Sequence, residues 1–107
     1  MLPILEETKI TEKLVVIRPC HTKGKLMGEV NFLDITPDLH IDLKKIENAV
    51  IKLESVKNVL YSEDLGLVKY FQSDKNVFIF ESGFVRVKNA INRKDIIDTV
   101  FIIRNLL

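Results

Sequence analysis

Residues 56–100 read VKNVLYSEDLGLVKYFQSDKNVFIFESGFVRVKNAINRKDIIDTV, and this stretch decides the fold. It holds four runs rich in branched and aromatic residues: Val56–Tyr61, Gly66–Gln72, Val77–Glu81 and Phe84–Lys88. Such side chains fit a pleated, half-buried surface, so each run predicts a strand. The breaks between them are Ser62-Glu63-Asp64, Ser73-Asp74-Lys75-Asn76 and Ser82-Gly83. Glu81-Ser82-Gly83-Phe84 is a tight-turn signal, because glycine adopts the backbone twist a short hairpin needs. Parallel neighbours require a long crossover, so these short connections predict a mostly antiparallel meander.

Helical patterns stand on both sides of the meander. Downstream, Asn92 is suited to accept the first free N–H groups of a helix, and Asp95 favours that end by its charge. Ile96, Val100, Ile103 and Leu107 then form one stripe, widened by Ile97, Thr99, Ile102 and Leu106. Phe101 falls near Lys94, Asp98 and Asn105, on the side expected to be wet. Upstream, Leu43, Ile46, Val50 and Leu53 share one face, with Ala49 beside it. Either Thr36-Pro37-Asp38 or Asp42 can open that helix.

Two strands are expected earlier still. One is the Leu14–Ile17 run, ended by Pro19. The other spans Lys25 to Leu33, with Leu26, Gly28, Val30 and Phe32 on one side. The expected order is therefore β-β-α-β-β-β-β-α. An α+β domain satisfies it, with about five to six mostly antiparallel strands and two helices on one face. Residues 13–107 make this domain, and residues 1–12 read as a loosely packed lead-in.

Composition bounds the function. The chain has 107 residues, 47% hydrophobic and 29% charged, which is enough apolar surface for one core and argues against disorder. A net charge of +1 gives no global attraction to nucleic acid or anionic lipid. One cysteine, Cys20, allows no internal disulfide, and secreted domains of this size more often carry several. The opening MLPILEETKI has acidic residues early and no long apolar run, so no signal peptide is expected. No stretch reaches the roughly 18 apolar residues of a membrane span. The expected compartment is the cytoplasm.

From Asp42 to Leu107 the order of elements resembles one repeat of the TATA-box-binding-protein fold. The segment NVFIFESGFVRVKNAINRKDIIDTV looks like the final hairpin and helix of that repeat, at Val77–Phe80, Ser82-Gly83, Phe84–Val87, Ala90 and Asp95. The opening VVIRPC, Val15 to Cys20, is similar to a domain found ahead of the four-cysteine cluster module in some archaeal and bacterial iron–sulfur proteins. The cluster module and a second tandem repeat are both missing from this chain. The resemblance implies a TATA-box-binding-protein-like fold and two partner classes, an iron–sulfur protein or nucleic acid. It implies no activity.

No complete catalytic set can be assembled from the residues. Cys20-His21 pairs a thiol with an imidazole, but neighbouring side chains on an extended segment point opposite ways. His40 is the only other histidine, whereas metal sites generally want three or four ligands. The pair is the best metal candidate and falls short. Asp38-Leu39-His40-Ile41-Asp42 sets a histidine between carboxylates, and helix capping is the plainer use of those aspartates. Gly24, Gly28, Gly66 and Gly83 are scattered and form no phosphate loop. The expectation is a non-enzymatic protein with no cofactor of its own.

Two surfaces remain as candidates for contact. If Val68, Tyr70, Val85 and Val87 face the helices, alternation turns Lys69, Phe71, Phe84, Arg86 and Lys88 to the other face. Cations interleaved with aromatic rings suit a nucleic-acid groove or a protein interface; they also suit a plain solvated face. The last helix offers Phe101, Ile102, Leu106 and Leu107, more apolar surface than one stripe needs. The leading expectation is a protein-interaction module or small accessory subunit of a larger, iron–sulfur-containing assembly. The alternative is a nucleic-acid binder using its sheet face as a homodimer, which the near-neutral charge disfavours.

Overall fold

The computed structural model describes residues 14–21 and 23–107, so the expected lead-in over 1–12 lies outside the described residues. The alternating runs form one six-stranded antiparallel sheet. Its strands are β1 (Val16–Pro19), β2 (Leu26–Asn31), β3 (Val56–Ser62), β4 (Leu67–Gln72), β5 (Lys75–Phe80) and β6 (Phe84–Ala90). Helix α1 (Leu43–Val50) joins β2 to β3, and α2 (Arg93–Leu106) follows β6. Across the sheet the order is β1-β2-β6-β5-β4-β3. The N-terminal hairpin therefore pairs with the last strand, and α1 carries the chain to the opposite edge.

Local chemistry sets the element ends. Asp42, the later of the two possible caps, accepts a hydrogen bond from the Lys45 N–H at 3.3 Å. Asn92 accepts from the Asp95 N–H at 2.8 Å, and the Asp95 carboxylate in turn accepts from the Ile91 N–H at 3.0 Å. Two free helix-end donors are satisfied this way. β5 starts at Lys75 rather than Val77, because Ser73 and Asp74 alone make the turn and Ser73 takes a left-handed φ of 55°. β2 stops at Asn31, whose side chain accepts from the Leu33 N–H at 2.9 Å. A 3-10 turn, Phe32–Asp34, follows and buries Phe32 completely.

Both helices cover the same face of the sheet. α1 lies over β3 and β4, and α2 over β6 and β2. The core is Leu43, Ile46 and Val50 of α1, Ile96, Ile97, Val100 and Ile103 of α2, and the inward residues of the strands. Those include Val30, Val68, Tyr70, Val77, Ile79, Val85 and Val87. Each buried aliphatic side chain contributes about 1.5–3 kcal/mol. Gly28 is what lets α2 sit close: a Cβ there would overlap the Ile96 side chain. Phe101, expected on the wet side, is instead half-buried against the core, as are Leu106 and Leu107. The sheet is broad enough to cover an arc of α2 wider than its main stripe.

One polar cluster ties α2 to β5. Lys75 Nζ donates to Asp95 Oδ1 at 2.7 Å and to Thr99 Oγ1 at 2.9 Å, while the Thr99 hydroxyl donates to the Asp95 carbonyl at 2.8 Å. Partial burial alone would raise the Asp95 carboxyl pKa. The Lys75 ammonium and the Ile91 N–H outweigh that and hold it below its ordinary value.

Candidate binding surface

The face away from the helices is built by the same period of two. Val68, Tyr70, Val85 and Val87 are at most 1% exposed under the helices, which places Lys69, Phe71, Phe84, Arg86 and Lys88 on the opposite face. One row of register partners crosses all six strands: Val16, Glu29, Arg86, Phe78, Lys69 and Leu60. The next row toward the β5–β6 turn carries Asn31 opposite Phe84 and Leu67 opposite Phe80. The row on the other side runs Lys88, Asn76, Phe71 and Lys57, with Arg18 opposite Met27 nearer the edge.

Four phenylalanines thus stand half-exposed on one surface, and Phe71, Phe78 and Phe84 form a diagonal across three adjacent strands. Phe80 supports Phe84, their ring centroids 5.8 Å apart and the rings tilted by 50°. Cations lie against these rings. Lys69 Nζ is 5.6 Å from the centroids of both Phe71 and Phe78. Lys88 Nζ is 6.0 Å from Phe78, and Arg86 Cζ is 5.5 Å from Phe84. Those distances are within cation–π range for Phe71, Phe78 and Phe84.

The face has a charge excess that the whole-chain figure conceals. Among the described residues, Arg18, Lys57, Lys69, Arg86 and Lys88 stand against Glu29 and, at the edge beside Phe84 and Asn31, Asp34. Glu29 Oε2 accepts from Arg86 Nε at 3.1 Å and Nη2 at 2.8 Å, and Oε1 lies 3.6 Å from Arg18. These two bonds fix the Arg86 guanidinium to Glu29. Beside this pair, at the open end of β1, β2 and β6, a cavity of about 240 Å³ is lined by Arg18, Cys20, His21, Met27, Glu29, Arg86 and Lys88.

The other candidates fare differently. Cys20 Sγ donates to Asn89 Oδ1 at 3.3 Å, and His21 is exposed beside it. Among the described residues no group of three or more His, Cys, Asp or Glu is placed to hold a metal ion. Asp42 caps α1, and with His40, Tyr61, Glu63 and Glu81 it lines a second cavity of about 250 Å³ at the opposite corner of the sheet. Partial burial and then the charges of Glu63, Glu81, Asp42 and Glu47 raise the Tyr61 hydroxyl above its ordinary pKa. On α2 only Ile102 of the four apolar candidates is exposed, at 37%. Phe78, Phe80, Arg18, Lys57 and Glu29 were not among the expected face residues. The alternation of Val77 and Ile79 with Phe78 and Phe80 carries the signal for the two rings.

Compared with protein-family models, with curated proteins and with solved structures, the chain matches none. Its fold and its surface chemistry are therefore read from its own residues. No helix among the described residues is long and apolar enough to cross a membrane.

Proposed function

We propose that the protein is a non-enzymatic binding module that meets an anionic partner through the open face of its sheet. The observation that supports this most is the charge excess of Arg18, Lys57, Lys69, Arg86 and Lys88 over Glu29 and Asp34, laid among four half-exposed phenylalanines. Water alone does not call for rings on a sheet face. A partner that covers the rings and neutralises the cations gains from both. The module works in the cytoplasm as a small accessory part of a larger assembly, with the resemblance to a TATA-box-binding-protein-like repeat pointing to an iron–sulfur protein or nucleic acid. A homodimer would set two such repeats side by side.

A second reading places the contact on α2. Ile102 is its one exposed candidate, since Phe101, Leu106 and Leu107 already pack on the core. Retention on heparin, an anionic polymer, separates the two. Lys88→Glu is expected to elute at clearly lower salt than the native protein, and Ile102→Glu at unchanged salt. The reverse pattern moves the contact to the helix.

A further inference from the structure

We infer that the anionic partner is a single-stranded nucleic acid, its bases stacked along Phe71, Phe78 and Phe84 and its phosphates held by Lys69, Lys88 and Arg18. This rests on the open face being the binding surface and adds what binds there. The spacing of the rings is the first argument. Diagonal neighbours on an antiparallel pair are about 7–8 Å apart. That is more than twice the rise of about 3.4 Å between bases along one strand of a duplex. Rings so spaced receive bases splayed apart, which an unpaired strand allows and an intact duplex does not.

Pairing of ring and cation is the second argument. Phe78 sits at the centre with Arg86 and Lys69 as its direct cross-strand partners, and Lys88 lies 6.0 Å from its ring. A base that stacks on Phe78 brings its phosphate within reach of those flexible lysines. The ammonium then leaves the ring for the phosphate, and neither group is left unmatched. A repeating unit with one planar apolar face and one negative charge is what this pattern fits. An acidic peptide offers the charges without the planar faces.

Charge placement supplies a path. The cavity beside Arg18, Arg86 and Lys88, which Glu29 also lines, lies at one corner of the sheet, and the carboxylates of Asp42, Glu63 and Glu81 gather at the diagonal corner on the helix side. The phosphates then run from the cavity past Lys88 and Lys69 toward Lys57.

Fluorescence anisotropy on the full chain tests this with three labelled probes: a thymidine oligonucleotide, a duplex containing the same strand, and polyglutamate of similar charge. The thymidine strand is expected to bind tightest, with an affinity that falls as salt rises. Phe78→Leu keeps an apolar side chain but no ring, and should weaken binding roughly tenfold while Phe78→Tyr retains it. Lys88→Gln should lower the salt slope by about 0.7. Thermal unfolding of each variant confirms that it is folded. Duplex binding as tight as the single strand, or an undiminished Phe78→Leu, overturns base stacking. Polyglutamate binding best makes the partner an acidic protein and overturns the nucleic acid while the anionic reading stands. Failure of all three probes to bind overturns both.

Discussion

The two faces of this sheet come from the same strands, one residue apart, and they are chemically unlike. The covered face is mostly aliphatic and branched, with Val30, Val68, Val77, Ile79, Val85 and Val87 around the fully buried Tyr70. The open face takes all four strand phenylalanines and sets cations against three of them. Under the helices, compact branched side chains fill space without voids, and stability follows from packing. On the open face no element among the described residues packs over the rings. The covered face explains why the protein folds, and the open face is where a function has room to be written.

The comparison breaks most visibly if large-to-small changes cost the same on both faces. Ile79→Ala, at a position 1% exposed, is expected to destabilise by about 2–5 kcal/mol in urea unfolding. Its neighbour Phe78→Ala should cost only about 1 kcal/mol, since the larger side chain is half-exposed. Equal losses would make the open face a second core that water happens to reach.

The covered side also carries a pH signature. Asp95 has its folded pKa held below the ordinary value near 3.8 by Lys75 and the Ile91 N–H. Its contribution is therefore present above that ordinary value and is lost as pH falls through it and below. Asp95→Asn should cost about 1 kcal/mol at neutral pH and flatten the acid limb of the stability curve. Acid titration followed by circular dichroism reads both effects.

A smaller effect is expected at Tyr70, whose buried hydroxyl has no hydrogen-bond partner among the described residues. Burial also raises its pKa far above the ordinary 10.0. A raised folded pKa leaves stability intact below that ordinary value and erodes it as pH climbs beyond. Tyr70→Phe removes the unmatched hydroxyl and should raise stability by about 1 kcal/mol, with a shallower alkaline loss. Thermal unfolding at neutral and alkaline pH measures it.

Much of this was legible in the residues, and the gaps have physical causes. Period-two alternation is local, so Val85 and Val87 against Arg86 and Lys88 could be assigned to faces without knowing the sheet. Caps are local too, and Asn92 with Asp95 reads directly. Strand order is not local. Nothing near β2 announces that it pairs with β6, yet that pairing alone brings Glu29 onto Arg86 and completes the row to Val16. Phe78 and Phe80 alternate with Val77 and Ile79 inside the expected strand and were legible by the same period, while the turn before them closes in two residues rather than four because Ser73 takes a left-handed backbone. A helical stripe likewise says which side faces in, but not how wide an arc the sheet will cover, and so Phe101 was set on the wrong side.

The central claim is that binding belongs to the open face and folding to the covered one. Side-chain NMR during titration with an anionic ligand tests it most directly, because Phe78 and Ile79 are neighbours on one strand that report opposite faces. The ring signals of Phe71, Phe78 and Phe84 should shift with ligand while the methyl signals of Val77, Ile79 and Val87 stay in place. Shifts concentrated at Phe101, Ile102 and Leu106, with the sheet rings unmoved, would contradict it.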